Sequence, residues 1–209
     1  MASRITKALA ATFSLAGTSA QAEDGYKGYD GPQYVVEQQV GAAEIRSYAP
    51  HLIAEVTVQG SPDRARGRGF RILAGFIFGG NTSQAAIDMT SPVTQRASEK
   101  IAMTSPVTQS GADDLWTVSF TMPRKYTRDT LPIPDSDAIR IVETTPQRQI
   151  VLQFSGIARA VEMDAKAAEL RTIATGAGYT LGDGPFYSFY DAPMTLPWKR
   201  RNEVAYVLD

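Results

Sequence analysis

Apolar and polar residues alternate along several short segments of the 209-residue chain. The alternation is clearest toward the end of the segment Leu52 to Val58, and it is typical of a half-buried β-strand. Segments of similar length recur between turn residues along the chain. They predict strands at residues 34–39, 42–48, 51–59, 100–108, 114–122, 138–144, 148–155, 185–190 and 203–208.

Two other segments follow the helical period of 3.6 residues. A first helix is predicted to begin at Ser61-Pro62-Asp63, which supplies an N-cap, a first-position proline and a first-turn acid, and to run to about Phe78. Its predicted buried stripe is Phe70, Leu73, Ala74 and Ile77. A second helix is predicted over residues 162–175, ending at Gly176 and Gly178. Its apolar stripe is Met163, Ala167, Leu170 and Ala174, with Ile173 beside it.

The two halves of the chain superpose with a shift of 96 residues. The shift places Ile45 on Ile141, Gly60 on Gly156 and Ile77 on Ile173. Because strands, turn residues, a helix and its terminal glycine recur in the same order, the sequence indicates a duplicated strand-strand-helix-strand-strand unit. Such a duplication predicts an α+β domain with two helices on a largely antiparallel sheet.

The N-terminal residues have the three parts of a secretory signal peptide in the required order. Arg4 and Lys7 precede a mostly apolar stretch, and Ala20-Gln21-Ala22 provides a small-residue cleavage site. We therefore expect a signal peptide at residues 1–22, a flexible leader at 23–33 and one domain at 34–209. No other stretch approaches the ~20 apolar residues of a membrane span, so the mature protein is expected to be periplasmic or secreted.

Composition excludes several kinds of site. Without Arg4 and Lys7, 19 basic residues face 22 acidic ones, a net charge of −3 that gives no electrostatic footprint for nucleic acid. The chain has no Cys, which excludes disulfides, thiolate metal sites and a Cys nucleophile. His51 is the single histidine, so sites with two histidine ligands are also excluded.

One nine-residue segment occurs twice. Ile87 to Gln95 returns as Ile101 to Gln109 with one difference. The second copy, preceded by Lys100, resembles the Lys-Ile-Xaa-Met-Thr-(Ala/Ser)-Pro-Val strand of the SOUL/heme-binding protein family. We interpret the first copy as a tandem duplication that lengthens a loop; a functional role for its Met89 is the alternative.

The resemblance extends over about 170 residues, because six further motifs follow in the family order. They are Glu44 to Tyr48, Phe78 to Asn81, Trp116 to Pro123, Tyr126 with Leu131-Pro132, Gln153 to Gly156, and Tyr190-Asp-Ala-Pro193 with Arg200 to Val204. The resemblance implies a distorted β-barrel with pseudo-twofold symmetry, non-covalent heme as a cofactor, and a small-molecule tetrapyrrole as the partner. Protein partners are not implied.

Helix one offers a candidate binding face. Arg64, Arg68, Arg71, Gly75 and Phe78 share one strip, turned about a third of a circle from the Phe70/Ile77 stripe. Guanidinium groups pair with carboxylates, and Gly75 leaves room for a flat ring, a combination that would suit heme propionates and porphyrin. The resemblance assigns the position of Arg68 to the family's heme cleft, whereas the family's Met and Lys further along the helix are replaced here. An ordinary solvated arginine face is the alternative.

The sequence offers few candidates for an iron ligand. Some family members carry His after Glu-Ile-Arg, where this chain has Ser47. His51 is the candidate metal ligand, and an ordinary solvent-exposed or capped loop histidine is the alternative. Met103 and Met122 could donate sulfur or simply pack in the core. Tyr187 and Phe189 share one strand face and could line a cleft or simply pack in the sheet. The charges at Arg200 to Glu203 suit a pocket rim or a strand-start hydrogen-bond network equally well.

The leading hypothesis is an exported, non-enzymatic heme-binding protein for transport, buffering or scavenging. A general hydrophobic-ligand or effector-binding module of the same fold is the alternative. A tetrapyrrole-modifying enzyme, for example one that removes iron, is a third possibility, although no catalytic motif demands it.

Overall fold

The computed structural model describes residues 25–84 and 98–209. The expected signal peptide and the first copy of the repeated segment, with Met89, lie outside these residues. The helices are α1, Pro62–Ile77, and α2, Ala160–Gly176. The strands are β1 Tyr34–Val40, β2 Ala43–Tyr48, β3 Leu52–Gln59, β4 Asn81–Thr82, β5 Val107–Ala112, β6 Leu115–Thr121, β7 Ile133–Pro134, β8 Ile139–Glu143, β9 Gln147–Phe154, β10 Phe186–Phe189 and β11 Asn202–Val207.

Nine strands form one antiparallel sheet in the order β1-β2-β9-β11-β10-β5-β6-β3-β8. The sheet curls into a half-barrel, and β4 pairs separately with β7. Helix α1 packs on β3 and β6, and α2 packs on β9 and β11, so one hydrophobic core lies between the sheet and both helices. The prediction of an α+β fold with two helices on an antiparallel sheet is confirmed.

The strand order shows the duplication directly. The first unit contributes β2, β3, β5 and β6, and the second contributes their equivalents β8, β9, β10 and β11. If each strand is replaced by its equivalent, the order of these eight strands is reversed and the same strands remain neighbours. The first strand of each unit pairs with the second strand of the other unit, β2 with β9 and β8 with β3. The two units are therefore joined by exchanged strands at both ends of the sheet and by the β5–β10 pair at its centre.

One strand is displaced from its predicted position. The prediction placed it at residues 100–108, whereas β5 begins at Val107 and continues through Gly111 to Ala112. Pro106 cannot donate a ladder hydrogen bond, which places the strand start after it. Gln109 is fully buried in β5, where its Nε2 donates to the Pro62 carbonyl at the start of α1, 2.9 Å away. A local polar pattern does not reveal such a partner.

The buried face of α1 also differs from the prediction. Leu73 and Ile77 are buried as expected, but Phe70 and Ala74 are only half-buried. The remaining buried positions are Ala65, Gly69 and Phe76. Gly69 lies against Val118 of β6, where an added Cβ would come within 2.6 Å of that side chain. The helix thus approaches the sheet through a glycine, and Phe70 turns to the edge of the core, where its ring meets Phe120 at 5.4 Å.

Helix α2 agrees closely with the sequence. Its buried residues are Met163, Ala167, Leu170 and Ala174, the predicted stripe. It ends where Ala177 and Gly178 donate to carbonyls of the last turn, and Gly178 has a φ of 82°. A left-handed residue at this point is favourable for glycine, which explains the helix end that the sequence predicted.

The residues before β1 pack against the domain. Tyr26 donates a hydrogen bond to Asp191 at 3.1 Å, and Lys27 forms an ion pair with the same carboxylate. The Tyr26 ring meets Tyr190 edge-on at 5.3 Å, and Asp30 forms a β-bridge with Thr104. The expectation of a flexible leader did not include these contacts, because they depend on residues that are distant in the sequence.

Candidate functional site

The arginine strip of α1, formed by Arg64, Arg68, Arg71, Gly75 and Phe78, is exposed along its whole length. The strip lies on the side of the helix nearly opposite its buried face. Phe78, at the helix end, leaves 58% of its surface in solvent. A Cβ added at Gly75 would meet no atom within 4 Å, so the backbone there is open to a large ligand.

The guanidinium groups of the strip have few partners within the protein. Among the residues that the structure describes, Arg64, Arg68 and Arg71 form no ion pair, and Arg71 only donates through Nε to the Gly67 carbonyl at 3.2 Å. The neighbouring Arg66 contrasts with them: it pairs with Asp63 at 2.8 Å and stacks on the Phe189 ring at 4.3 Å. The strip therefore presents three cations that an anionic ligand can engage.

His51 lies away from this strip. It stands just before β3, where Leu52 and Ala54 point into the helix-side core and His51 and Ile53 point to the opposite face of the sheet. Its Nδ1 is 2.9 Å from the Ala49 carbonyl and 3.1 Å from the Thr144 hydroxyl. Burial lowers the pKa of His51, partly opposed by the Ala49 carbonyl. A ligand held on the strip cannot use this histidine.

Tyr187 belongs to the core between the sheet and the helices. It is buried, and burial together with the nearby Asp164 raises its pKa to about 12. Phe189 on the same strand face packs against the core under Arg66. The predicted site residues thus fall in three places: the strip, the far face of the sheet and the core. The prediction did not separate these places, because a strand pattern does not show which elements cover each face.

The concave face of the sheet carries a cavity of about 200 Å³. Its floor is rich in hydroxyl groups from β5, β6 and β10, and His51, Tyr48 and Phe186 line its sides. The hydroxyl residues are Thr108, Ser110, Thr117, Ser119, Thr121 and Ser188. This volume lies below the ~300 to 1,000 Å³ of a typical drug-sized ligand pocket, so only a compact molecule would be enclosed.

A buried charge network closes one end of this cavity. The Glu203 carboxylate accepts hydrogen bonds from Arg46 at 3.1 Å, from Arg201 at 2.8 Å and from the Tyr190 hydroxyl at 2.7 Å. Burial alone would lower the pKa of Arg46, but the negative charge of Glu203 raises it by more. The pKa of Arg46 is therefore above its ordinary value. Burial and Glu203 both raise the pKa of Tyr190. Both interpretations of Arg200 to Glu203 apply to Glu203: it accepts hydrogen bonds from Arg201 and Tyr190, and it also lines the cavity.

The structure contains an exposed apolar surface that was not predicted from the sequence. It is formed by two adjacent segments, residues 156–161 and 193–198, joined by a hydrogen bond from the Gly156 amide to the Pro197 carbonyl at 3.0 Å. Half of the ten exposed large apolar side chains of the described residues lie here. This loop patch consists of Ile157, Val161, Met194, Leu196 and Trp198. Apolar residues between Pro193 and Pro197 were the available signal, since prolines favour a loop over a buried element.

No cluster of three or more His, Asp or Glu residues suited to a metal ion occurs within residues 25–84 and 98–209. Over the same ranges, no helix has the length and apolar character needed to cross a bilayer.

Relatives with known names share parts of this sequence. Heme-binding protein 1 of Sus scrofa is 38% identical over 87 residues, which are 42% of this chain and 45% of that protein. Heme-binding protein 1 of Xenopus laevis is 29% identical over 172 residues, covering 79% of this chain and 83% of that protein. Heme-binding protein 2 of Mus musculus is 26% identical over 171 residues, with 81% and 79% covered. The chain thus matches less than half of the pig protein and most of the frog and mouse proteins.

Solved structures with the same fold are more distant in sequence. A hydrolase from Listeria innocua superposes with a TM-score of 0.54 at 13% identity, covering 83% of this chain and 94% of that one. The EcmrR C-terminal domain superposes with a TM-score of 0.55 at 10% identity, covering 80% and 96%. At such identities the likeness shows the fold alone.

The model of the family described as SOUL heme-binding protein matches residues 29–207, which include the whole nine-stranded sheet and both helices. On that match, the chain belongs to the SOUL heme-binding protein family.

Proposed function

We propose that the protein binds heme non-covalently on the arginine strip of α1, without catalysis. The observation that carries this proposal is the group of three arginines on one exposed helix face, none of which forms an ion pair among the described residues. Membership of the SOUL family supports heme as the ligand.

The strip fits the outer parts of a heme molecule. Two propionate carboxylates match the guanidinium groups of Arg68 and Arg71, which form charge-assisted, bidentate hydrogen bonds with such groups. The open backbone at Gly75 and the exposed Phe78 ring leave an apolar area where a flat macrocycle can rest. The concave cavity is a poorer fit, because its lining holds Glu55 and Glu203 but no Lys or Arg.

The iron receives no ligand from α1, which contains neither His nor Met. Binding through propionates and ring faces alone is weaker than binding with an axial ligand and leaves the ligand exchangeable. This weakness suits transport, buffering or scavenging, in which heme must be released again.

A hemin titration tests the proposal. The mature protein is expected to give a saturable Soret shift, and Arg68→Ala with Arg71→Ala should weaken binding by roughly ten-fold per arginine, since each charge-assisted bond contributes about 1 to 2 kcal/mol. Arg128→Ala is the matched control, because Arg128 is also exposed but lies in a loop and not on α1.

Two results would contradict the proposed site. A double variant that binds hemin as well as the parent would exclude the strip, and loss of the Soret shift in His51→Ala would move the site to the concave face. Absence of any shift at micromolar hemin would exclude heme binding altogether.

The proposed location is the periplasm or the exterior of the cell. The order of charge, apolar stretch and small residues before Glu23 supports export. Fractionation of expressing cells followed by N-terminal sequencing should recover a protein that begins at Glu23. Recovery of the uncut chain from the cytoplasm would contradict this part of the proposal.

Small-ligand binding on the concave face is a second candidate, supported by the cavity of about 200 Å³. Its many hydroxyl groups and its lack of lining cations favour a compact, uncharged or cationic molecule. Native mass spectrometry of the purified protein would show such a ligand as a mass increment that hemin does not displace.

A further inference from the structure

The loop patch contains several strongly exposed apolar side chains. Met194 is 92% exposed, Val161 79% and Trp198 69%. Surface apolar residues scattered singly are ordinary, but five on two adjoining segments are a local concentration that needs an explanation.

Most backbone carbonyls beneath the patch accept hydrogen bonds from within the protein. The carbonyls of Ala192, Pro193, Thr195, Leu196 and Pro197 each accept an internal hydrogen bond. Arg200 supplies three of these bonds: its Nε donates to Thr195 at 2.7 Å, its Nη2 to Pro193, and its amide to Pro197 at 3.2 Å. Pro193 and Pro197 have no amide hydrogen to satisfy. Pairing these carbonyls internally lowers the cost of moving the loop into an apolar medium.

Charge distinguishes between the possible occupants of this surface. Residues 156–161 and 193–200 contain three cations, Arg159, Lys199 and Arg200, and no acid, although the whole chain has a net charge of −1. Glu162 follows in α2 and lies 4.0 Å from Arg159, so the local surplus is carried by Lys199 and Arg200. Apolar tips with adjacent cations match the interface of a bilayer that contains anionic lipids.

The side chains also suit a lipid interface better than a protein surface. Tryptophan is enriched at the headgroup level of membranes because its ring is apolar and its N–H is polar. Protein interfaces of standard size carry about ten direct hydrogen bonds, whereas the loop has already used most of its carbonyl acceptors internally.

We propose that the loop patch docks the protein on the surface of anionic phospholipid bilayers, with Trp198, Met194 and Leu196 entering the headgroup region. No membrane-crossing helix is needed for such peripheral docking. The docking does not depend on heme binding, because the patch shares no residue with the arginine strip. It would place the protein at a surface where amphiphilic molecules accumulate.

The two tryptophans of the chain provide a direct measurement. Trp116 is buried in β6, so lipid-dependent changes in emission report mainly on Trp198. Vesicles of phosphatidylglycerol should shift the emission of the hemin-free mature protein to shorter wavelength, and phosphatidylcholine vesicles should shift it much less. Trp198→Phe should abolish the shift.

Vesicle flotation separates the apolar and ionic contributions. Met194→Ser with Leu196→Ser should reduce binding to phosphatidylglycerol vesicles more than ten-fold. Lys199→Gln should reduce it roughly five-fold, the equivalent of about 1 kcal/mol per cation near an anionic surface. Ile133→Ser is the matched control, because Ile133 is 54% exposed on β7 and should not change binding.

Unchanged emission and no flotation with phosphatidylglycerol vesicles would overturn the proposal. An emission shift that depends on protein concentration without lipid, accompanied by a dimer in analytical ultracentrifugation, would also overturn it by assigning the patch to a second copy of the chain. Either result leaves the hemin titration unaffected, so the two proposals fail independently.

Discussion

Glu203 shows how a single buried carboxylate can hold several strands together. It lies on β11, and its partners Arg46 and Tyr190 come from β2 and from the end of β10. Two cations and one hydroxyl surround this one anion, so removing its charge takes a buried carboxylate partner from both Arg46 and Arg201, while Arg46 keeps its pair with Glu44 at 2.7 Å. Breaking a buried ion pair in this way is far more costly than losing an exposed pair.

Glu203→Gln is therefore expected to destabilise the protein by about 3 to 5 kcal/mol. Glu37→Gln is the matched control, because its ion pair with Arg148 is partly exposed and should contribute at most about 1 kcal/mol. Urea unfolding followed by circular dichroism measures both free energies. Equal losses in the two variants would show that the buried network contributes little to stability.

His51 gives the protein a pH dependence that can be assigned to one residue. Its pKa in the folded state lies below the ordinary value of 6.5, mainly because of burial. Above pH 6.5 both the folded and the unfolded states carry a neutral imidazole, so stability is unaffected by it. As the pH falls below 6.5 the unfolded state binds the proton first, and the free energy of unfolding decreases.

We expect His51→Gln to flatten the stability profile between pH 7 and pH 5.5. Urea unfolding of the parent and the variant at both pH values tests the sign. Proton NMR provides an independent check, since a chain with one histidine gives one imidazole titration. A midpoint at or above 6.5 in the folded protein would contradict the expected effect of burial.

At the scale of the elements, α1 shows why its glycines cannot be treated alike. Gly69 faces Val118 at a distance that leaves no room for a methyl group, whereas Gly67 faces open space. The sequence pattern identified Leu73 and Ile77 but missed Phe76, and it gave Gly69 no contact role. That omission explains why the predicted stripe was rotated toward Phe70.

Gly69→Ala is expected to destabilise the protein by about 1 to 3 kcal/mol through overpacking against β6. Gly67→Ala should instead stabilise it by about 0.5 to 1 kcal/mol, because alanine restricts the unfolded chain and favours the helix. Thermal unfolding of the two variants should shift in opposite directions. A stabilising Gly69→Ala would mean that α1 can move away from the sheet without cost.

The other elements were also predicted only where a local sequence pattern determines them. Helix α2 and most strands were predicted within two residues, because each is bounded by turn residues and carries a clear period. The extent of β5 was wrong: Pro106 places its start later, and the burial of Gln109 within it depends on a carbonyl 47 positions earlier in the chain. The contacts of Tyr26 and Lys27 were missed for the same reason.

At the scale of the whole molecule, the 96-residue repeat predicted which elements occur but not how they pair. Repeat units can pair internally or exchange strands, and the two arrangements have the same hydrophobic pattern. The candidate site was predicted only in part for a related reason. Arg64, Arg68 and Arg71 lie together because one helix carries them, whereas His51, Tyr187 and the strip are separated by the sheet and its core.

The exchange of strands between the units has a consequence for how such a chain can arise and fold. A single unit lacks the neighbour for its second strand, because β8 covers β3 and β2 covers β9 only across the boundary between the units. One half expressed alone should therefore be unstable unless two copies trade strands and form a swapped homodimer with the same strand order. A one-unit ancestor of this fold would accordingly have been an obligate dimer, which fusion of two gene copies converted into one cooperatively folding chain.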